Sequence, residues 1–182
     1  GWKTADSTYS ANINYNITIS AVNDAPTATD KTITINEDTA TILNISDFGF
    51  ADVDSGDTLS SVKITSLASD GILEYNNNGT WTAVTLNQVI TNADITNGKL
   101  RFNPSSNENG TNYASFGFKV NDGTADSSAK TITYNVTAVN DAPTATDKTI
   151  TINEDTPTLL SVSDFGFADV DTGSALASVK IT

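Results

Sequence analysis

The chain has 182 residues and a formal net charge of −13, with its acidic groups supplied by 18 Asp against 4 Glu. It contains no Cys, His or Met, which excludes a disulfide frame, a thiolate zinc site, the usual general base and a Ser-His-Asp arrangement. So acidic a surface argues against nucleic acid and anionic membranes as partners, because like charges repel.

No run of about 18 apolar residues marks a membrane span. No basic segment leading into an apolar one marks a targeting signal, so any such signal is expected outside this stretch. In chain order, Asn14 to Val22 alternates, with Tyr15, Ile17, Ile19 and Ala21 on one side, and predicts a half-buried strand. Asn23-Asp24-Ala25-Pro26 follows as a short linker, stiffened because Pro26 fixes its own φ and holds Ala25 extended. Lys31 to Asn36 alternates again as a first strand, and Thr41 to Ser46 gives a second. Phe48 and Phe50 are expected in the core, Asp52 to Asp57 forms an acidic loop, and Leu59, Val62 and Ile64 mark a third strand.

Beyond Asp70-Gly71, ILEY and TWTAV flank Asn78-Gly79, which is the strongest hairpin signal in the chain. Val89 to Gly98 is expected to hold one helical turn before KLRFN, whose Leu100 and Phe102 face inward. Ser115 to Val120 and Ala129 to Val139 then form a last hairpin around Asn121-Asp122-Gly123, with Phe116, Phe118 and Val120 on the same side as Ile132, Tyr134 and Val136.

The stretch from Asn23 to Thr65 returns at Asn140 to Thr182, a shift of 117 residues, with 8 differences in 43 positions. A period of that length is a whole domain, not a solenoid turn. The expected organisation is the last strand of a preceding repeat (1–22), a complete repeat (23–139) and the first strands of a following repeat (140–182). The end pieces together lack everything corresponding to about residues 66–117, so two molecules cannot complete a sandwich by exchanging them. Eight or nine short strands, regular turn signals and no amphipathic helix predict an all-β Greek-key sandwich.

Asp52 and Asp54 stand two residues apart, and so close a pair of carboxylates repels unless a cation lies between them. The second copy keeps Asp169 and Asp171 but replaces Asp57 with Ser174, so the D-x-D pair is the core of any such site. The spelling DVDSGD lacks the closing bidentate Glu of a helix–loop–helix calcium loop.

The phrases AVNDAPTATD, INEDT, DFGFADVD and FKVND resemble those of bacterial cadherin-like and Ig-like tandem repeats, of the VCBS and RTX-adhesin types, in large secreted adhesins. The linker, the early acidic pair and the D-x-D pair resemble the cadherin junction. The linker lacks the first Asp of DxNDN, and no LDRE-like phrase is present. The resemblance implies Ig-like or cadherin-like sandwiches strung end to end with calcium at the junctions. The ligand positions it implies are Asn23, Asp24, Asn140 and Asp141 in the linkers, Glu37, Asp38, Glu154 and Asp155 early in each repeat, and Asp52, Asp54, Asp169 and Asp171. Asp122 is a further candidate, expected at the far end of the complete repeat. The second junction is expected to gather Asn140, Asp141, Glu154, Asp169 and Asp171.

The function this implies is a structural extender of an extracellular adhesin or surface filament on a bacterial cell. Its partners would be neighbouring repeats of the same chain and, in a filament, other copies. The alternative is a carbohydrate-binding module in which Trp81 and Tyr75 supply the stacking surface. No enzyme is expected, since a full active site every 117 residues serves no obvious purpose.

Overall fold

The structure is a computed structural model that describes residue 5 and residues 14–181. Among the described residues nine strands form: β1 (Lys31–Asn36), β2 (Thr41–Ile42), β3 (Ser61–Ser66), β4 (Ile72–Asn77), β5 (Thr80–Ala83), β6 (Val89–Thr91), β7 (Leu100–Asn103), β8 (Gly110–Asn121) and β9 (Lys130–Thr137). A five-stranded sheet runs β1-β9-β8-β3-β6, and a four-stranded sheet runs β2-β7-β4-β5. A single helical turn, α1 (Asn92–Thr96), joins β6 to β7, with Thr91 Oγ1 capping it by accepting from the Asp94 N–H.

The two sheets face each other through the apolar positions of the alternating strands. Val62, Ile64, Phe116, Phe118, Val120, Ile132, Tyr134 and Val136 come from one side and Leu73, Leu100 and Phe102 from the other, all buried. Phe102 stacks on Tyr134 across the gap at 3.9 Å between ring centroids, and Phe48 meets Phe118 edge-on at 5.1 Å. Each such contact is worth about 0.5–1.5 kcal/mol beyond the buried area. The fold is an all-β sandwich.

The Asn78-Gly79 hairpin forms as expected. Both turn residues have positive φ, 53° and 94°, as the two-residue turn matched to strand twist requires. Leu100 and Phe102 point inward, and Phe48 is fully buried.

Elsewhere the sequence expectation is corrected. The second strand shrinks to Thr41–Ile42 because a 3-10 turn, Ile45–Asp47, takes the rest. There the Asn44 N–H donates to Asp47 Oδ2 at 2.6 Å, and Lys31 Nζ reaches Asp47 Oδ1 at 2.6 Å. Local bonds of this kind compete with a ladder for the backbone. β8 and β9 are joined by the loop 122–129 and not by a tight Asn121-Asp122-Gly123 turn. Asp122 Oδ1 organises that loop, accepting from the N–H groups of Thr124 and Ala125.

The strands expected at the two ends do not form. Residues 14–22 make no ladder, and Ile17 and Ile19 are 87% and 90% exposed. They correspond to β9, which is held between β1 and β8. The partners that residues 14–22 would need correspond to positions 117 residues before β1 and β8 and are not among the 182. In the following copy, residues 148–153 likewise stay unpaired, since β1 takes its order from β9 and no second β9 is present. Much of the 1–22 segment, including Thr4 and Asp6, lies outside the described residues.

β1 and β9 pair in parallel, Lys31 against Ile132 through Asn36 against Thr137. The strand that opens the repeat therefore ends at the same edge of the sandwich where the strand that closes it leaves.

Candidate junction site

That edge is where the carboxylates collect. Glu37 follows directly on β1, and its N–H donates to the Thr137 carbonyl at 3.0 Å. Its side chain is turned inward, 3% exposed. Oε1 accepts from the Val139 N–H at 2.7 Å and Oε2 from Asn109 Nδ2 at 3.0 Å. These bonds, that of Asn109 foremost, hold the Glu37 carboxyl below its ordinary range. Asp38 takes a positive φ of 57° and accepts from the Asn107 N–H at 3.0 Å, bracing the turn after β1.

Across the linker, the Asp141 N–H donates to Asp171 Oδ2 at 2.7 Å and the Asp171 N–H donates to Asp169 Oδ1 at 2.9 Å. Asn140 Nδ2 donates to the Asp141 carbonyl at 2.7 Å. Carboxylate oxygens of Glu37, Asp141 and Asp171 then lie within 4.8 Å of one another. Asp141 Oδ2 is buried with no hydrogen-bond partner among the described residues. Burial raises the Asp141 carboxyl above its ordinary range, and the charges of Asp38, Asp171, Glu37 and Asp169 add to this. A polar cavity of about 180 Å³, lined by Glu37, Asn109, Asp141 and Asp171, opens at this point.

The same local geometry recurs one repeat earlier. The Asp24 N–H donates to Asp54 Oδ2 at 2.7 Å, the Asp54 N–H to Asp52 Oδ1 at 2.9 Å, and Asn23 Nδ2 to the Asp24 carbonyl at 2.6 Å. Asp52, Asp54 and Asp57 converge within 4.8 Å, and Asp52 Oδ2 is buried without a partner among the described residues. Burial, then Asp52, Asp54 and Asp122, push the Asp57 carboxyl up.

Two placements differ from the sequence expectation. Glu154 does not join the second junction; Glu37 of the preceding repeat does. The parallel course of β1 is the reason, since it carries the end of the strand across to the exit of its own repeat. Glu154 and Asp155 stand at the corresponding place one repeat on, and Asp155 repeats the positive φ of Asp38. Asp122 belongs to the first junction and not to the far end: its Oδ2 accepts from Asn23 Nδ2 at 3.1 Å. Asn107 and Asn109 escaped the sequence reading. They come from the loop before β8, about seventy residues from the side chains they support, and only the Asn109-Gly110 turn signal pointed there.

The residues considered for sugar stacking are engaged within the sheet. The Arg101 guanidinium lies 4.0 Å over the Trp81 ring while its Nε donates to Glu74 at 2.7 Å. Tyr75 donates its hydroxyl to Asp94 at 2.9 Å.

The sandwich with its first and last strands paired in parallel corresponds to what comparison of the sequence shows. Residues 23–135 match the family described as bacterial Ig domain. The chain belongs to the bacterial Ig domain family. No curated protein and no solved structure matches it significantly. Bacterial Ig domains occur typically in surface proteins and are typically not enzymes. This bacterial Ig domain carries, at its exit, a donor set made only of hard oxygens. Such a set suits calcium or a similar hard cation and not a soft transition metal. The buried, unpartnered Asp141 Oδ2 and the carboxylates packed around it fit that class of ion. No helix among the described residues is long and apolar enough to cross a membrane.

Proposed function

We propose that this chain is a stretch of extender repeats from an extracellular bacterial adhesin or surface filament, with calcium stiffening the joints between repeats. The observation that carries this reading is the meeting of Glu37, from the body of one repeat, with Asp141 and Asp171, from the linker and the start of the next. A linker of a few residues leaves the angle between two domains free, and contacts between domains in a chain are usually small. A cation with ligands on both sides of the joint removes that freedom. Without the cation the same three carboxylates repel, so the joint opens as the ion leaves.

Melting of the 182-residue chain in millimolar calcium and in chelator tests the reading. An ion bound only by the folded state raises the melting temperature by mass action. The wild type is expected to gain stability with calcium. The Asp141→Asn variant is expected to melt higher than wild type in chelator, through relief of repulsion, and to lose most of the calcium response. Superimposable wild-type curves with and without calcium would sink the proposal.

A further inference from the structure

We infer that the parallel β1–β9 pair is the load-bearing clamp of the repeat, holding it shut under tension carried along the chain. The inference rests on the direction of two strands and the bonds at their ends, and it requires no ion.

Repeats in series are joined through the linkers at Asn23–Pro26 and Asn140–Pro143, so any pull enters ahead of Lys31 and leaves behind Thr137. In the ladder, Lys31 lies opposite Ile132, while Thr137 lies opposite Asn36. The two loaded points are thus at opposite ends of one parallel pair. The pull runs along the strands, and the hydrogen bonds between them, spread evenly in a parallel ladder, resist together. An antiparallel hairpin pulled at its open end, as β4–β5 would be, gives way one bond at a time.

Both ends of the clamp are fastened by side chains. At the entry, Asp30 Oδ1 accepts from the Thr131 N–H at 2.7 Å. At the exit, Thr137 Oγ1 lies 3.0 Å from the Ile35 carbonyl and 2.6 Å from Asn36 Oδ1, and it can donate to either. The Glu37 N–H donates to the Thr137 carbonyl, and Glu37 Oε1 accepts from the Val139 N–H. Glu37 therefore ties the last turn of chain before the linker back onto β1. These contacts join residues more than a hundred positions apart, so they close nearly the whole repeat into one loop. Behind the clamp lie Ile35, Ile132, Tyr134 and Val136, and its rupture uncovers the core.

The chain has no cysteine, so pairs of introduced cysteines define where it is pulled. Thr29, Ala129 and Ala138 are exposed and lie outside the strands. In the full 182-residue chain, Thr29→Cys with Ala138→Cys loads the pair in shear. Thr29→Cys with Ala129→Cys loads the same pair at one end and peels it. Single-molecule pulling is done in chelator at one loading rate, and the wild-type chain is also pulled from its termini. Forced unfolding reads the barrier to rupture and not the equilibrium stability. The expected result is a rupture force several-fold higher in shear than in peeling, with terminal pulling matching shear. Equal forces in the two geometries, or a terminal pull as weak as peeling, would overturn the inference.

Discussion

Tyr134 sits at the centre of β9 with its ring sandwiched in the core, and its hydroxyl is buried with no partner among the described residues. Burial pushes the phenol far above its ordinary pKa, and the Asp47 charge adds to this, so it stays neutral at every pH the fold survives. A buried polar atom without a hydrogen bond costs about 1–3 kcal/mol. Replacing Tyr134 with Phe removes that atom and keeps the ring stacked on Phe102 at 3.9 Å. The void left is about 10–15 Å³, which at roughly 24 cal/mol per Å³ costs about 0.3 kcal/mol. The first effect is larger, so Tyr134→Phe is expected to stabilise the repeat by about 1–2.5 kcal/mol. At roughly 4–8 °C per kcal/mol for a domain of this size, the melting temperature rises by about 5–15 °C. Scanning calorimetry of the 182-residue chain measures it. Phe102→Ala serves as the opposite control, with an expected loss of about 3–5 kcal/mol. An unchanged or lower melting temperature for Tyr134→Phe would refute the reasoning, because it would mean that the hydroxyl is hydrogen-bonded in solution.

Asp94 gathers Lys99 at 2.7 Å, the Tyr75 hydroxyl at 2.9 Å and the Thr91 hydroxyl at 3.0 Å, and the Lys99 bond foremost lowers its carboxyl pKa. A carboxyl lowered by folding adds stability above its unfolded pKa of about 4 and loses it as pH falls through the folded value. The melting gap between wild type and Asp94→Asn should thus be clear at pH 7 and close in acid; a gap that ignores pH would contradict this. Gly71 has a φ of 59°, and an added Cβ would come 2.7 Å from Phe102 Cζ and 2.8 Å from the Asn103 carbonyl. Gly71→Ala should cost about 2–4 kcal/mol in denaturant unfolding, and Gly79→Ala, which meets nothing within 4 Å, clearly less. Equal losses at the two sites would show that the contact with Phe102 is not what matters.

The sequence by itself determined what depends on neighbours along the chain. The two-residue alternation of KTITIN, KLRFN and TITYNV placed their inward faces, and Asn78-Gly79 set a hairpin, because side-chain direction and turn conformation are local properties. The 117-residue return of NDAPTATD announced repeats, and the linker and D-x-D bonds at Asp24 and Asp54 recur at Asp141 and Asp171, since both partners come with the repeated segment. Only the tertiary structure decided which repeat serves which junction. Nothing local reveals that β1 lies parallel to β9, a pairing across about a hundred residues, and that pairing carries Glu37 to the exit of its own repeat beside Asp141 and leaves Glu154 out. Pairing decided the ends as well. Residues 14–22 and 148–153 have the same strand-forming alternation as β9 and β1, yet they form no ladder, because a strand is completed by hydrogen bonds to a partner and not by its own composition.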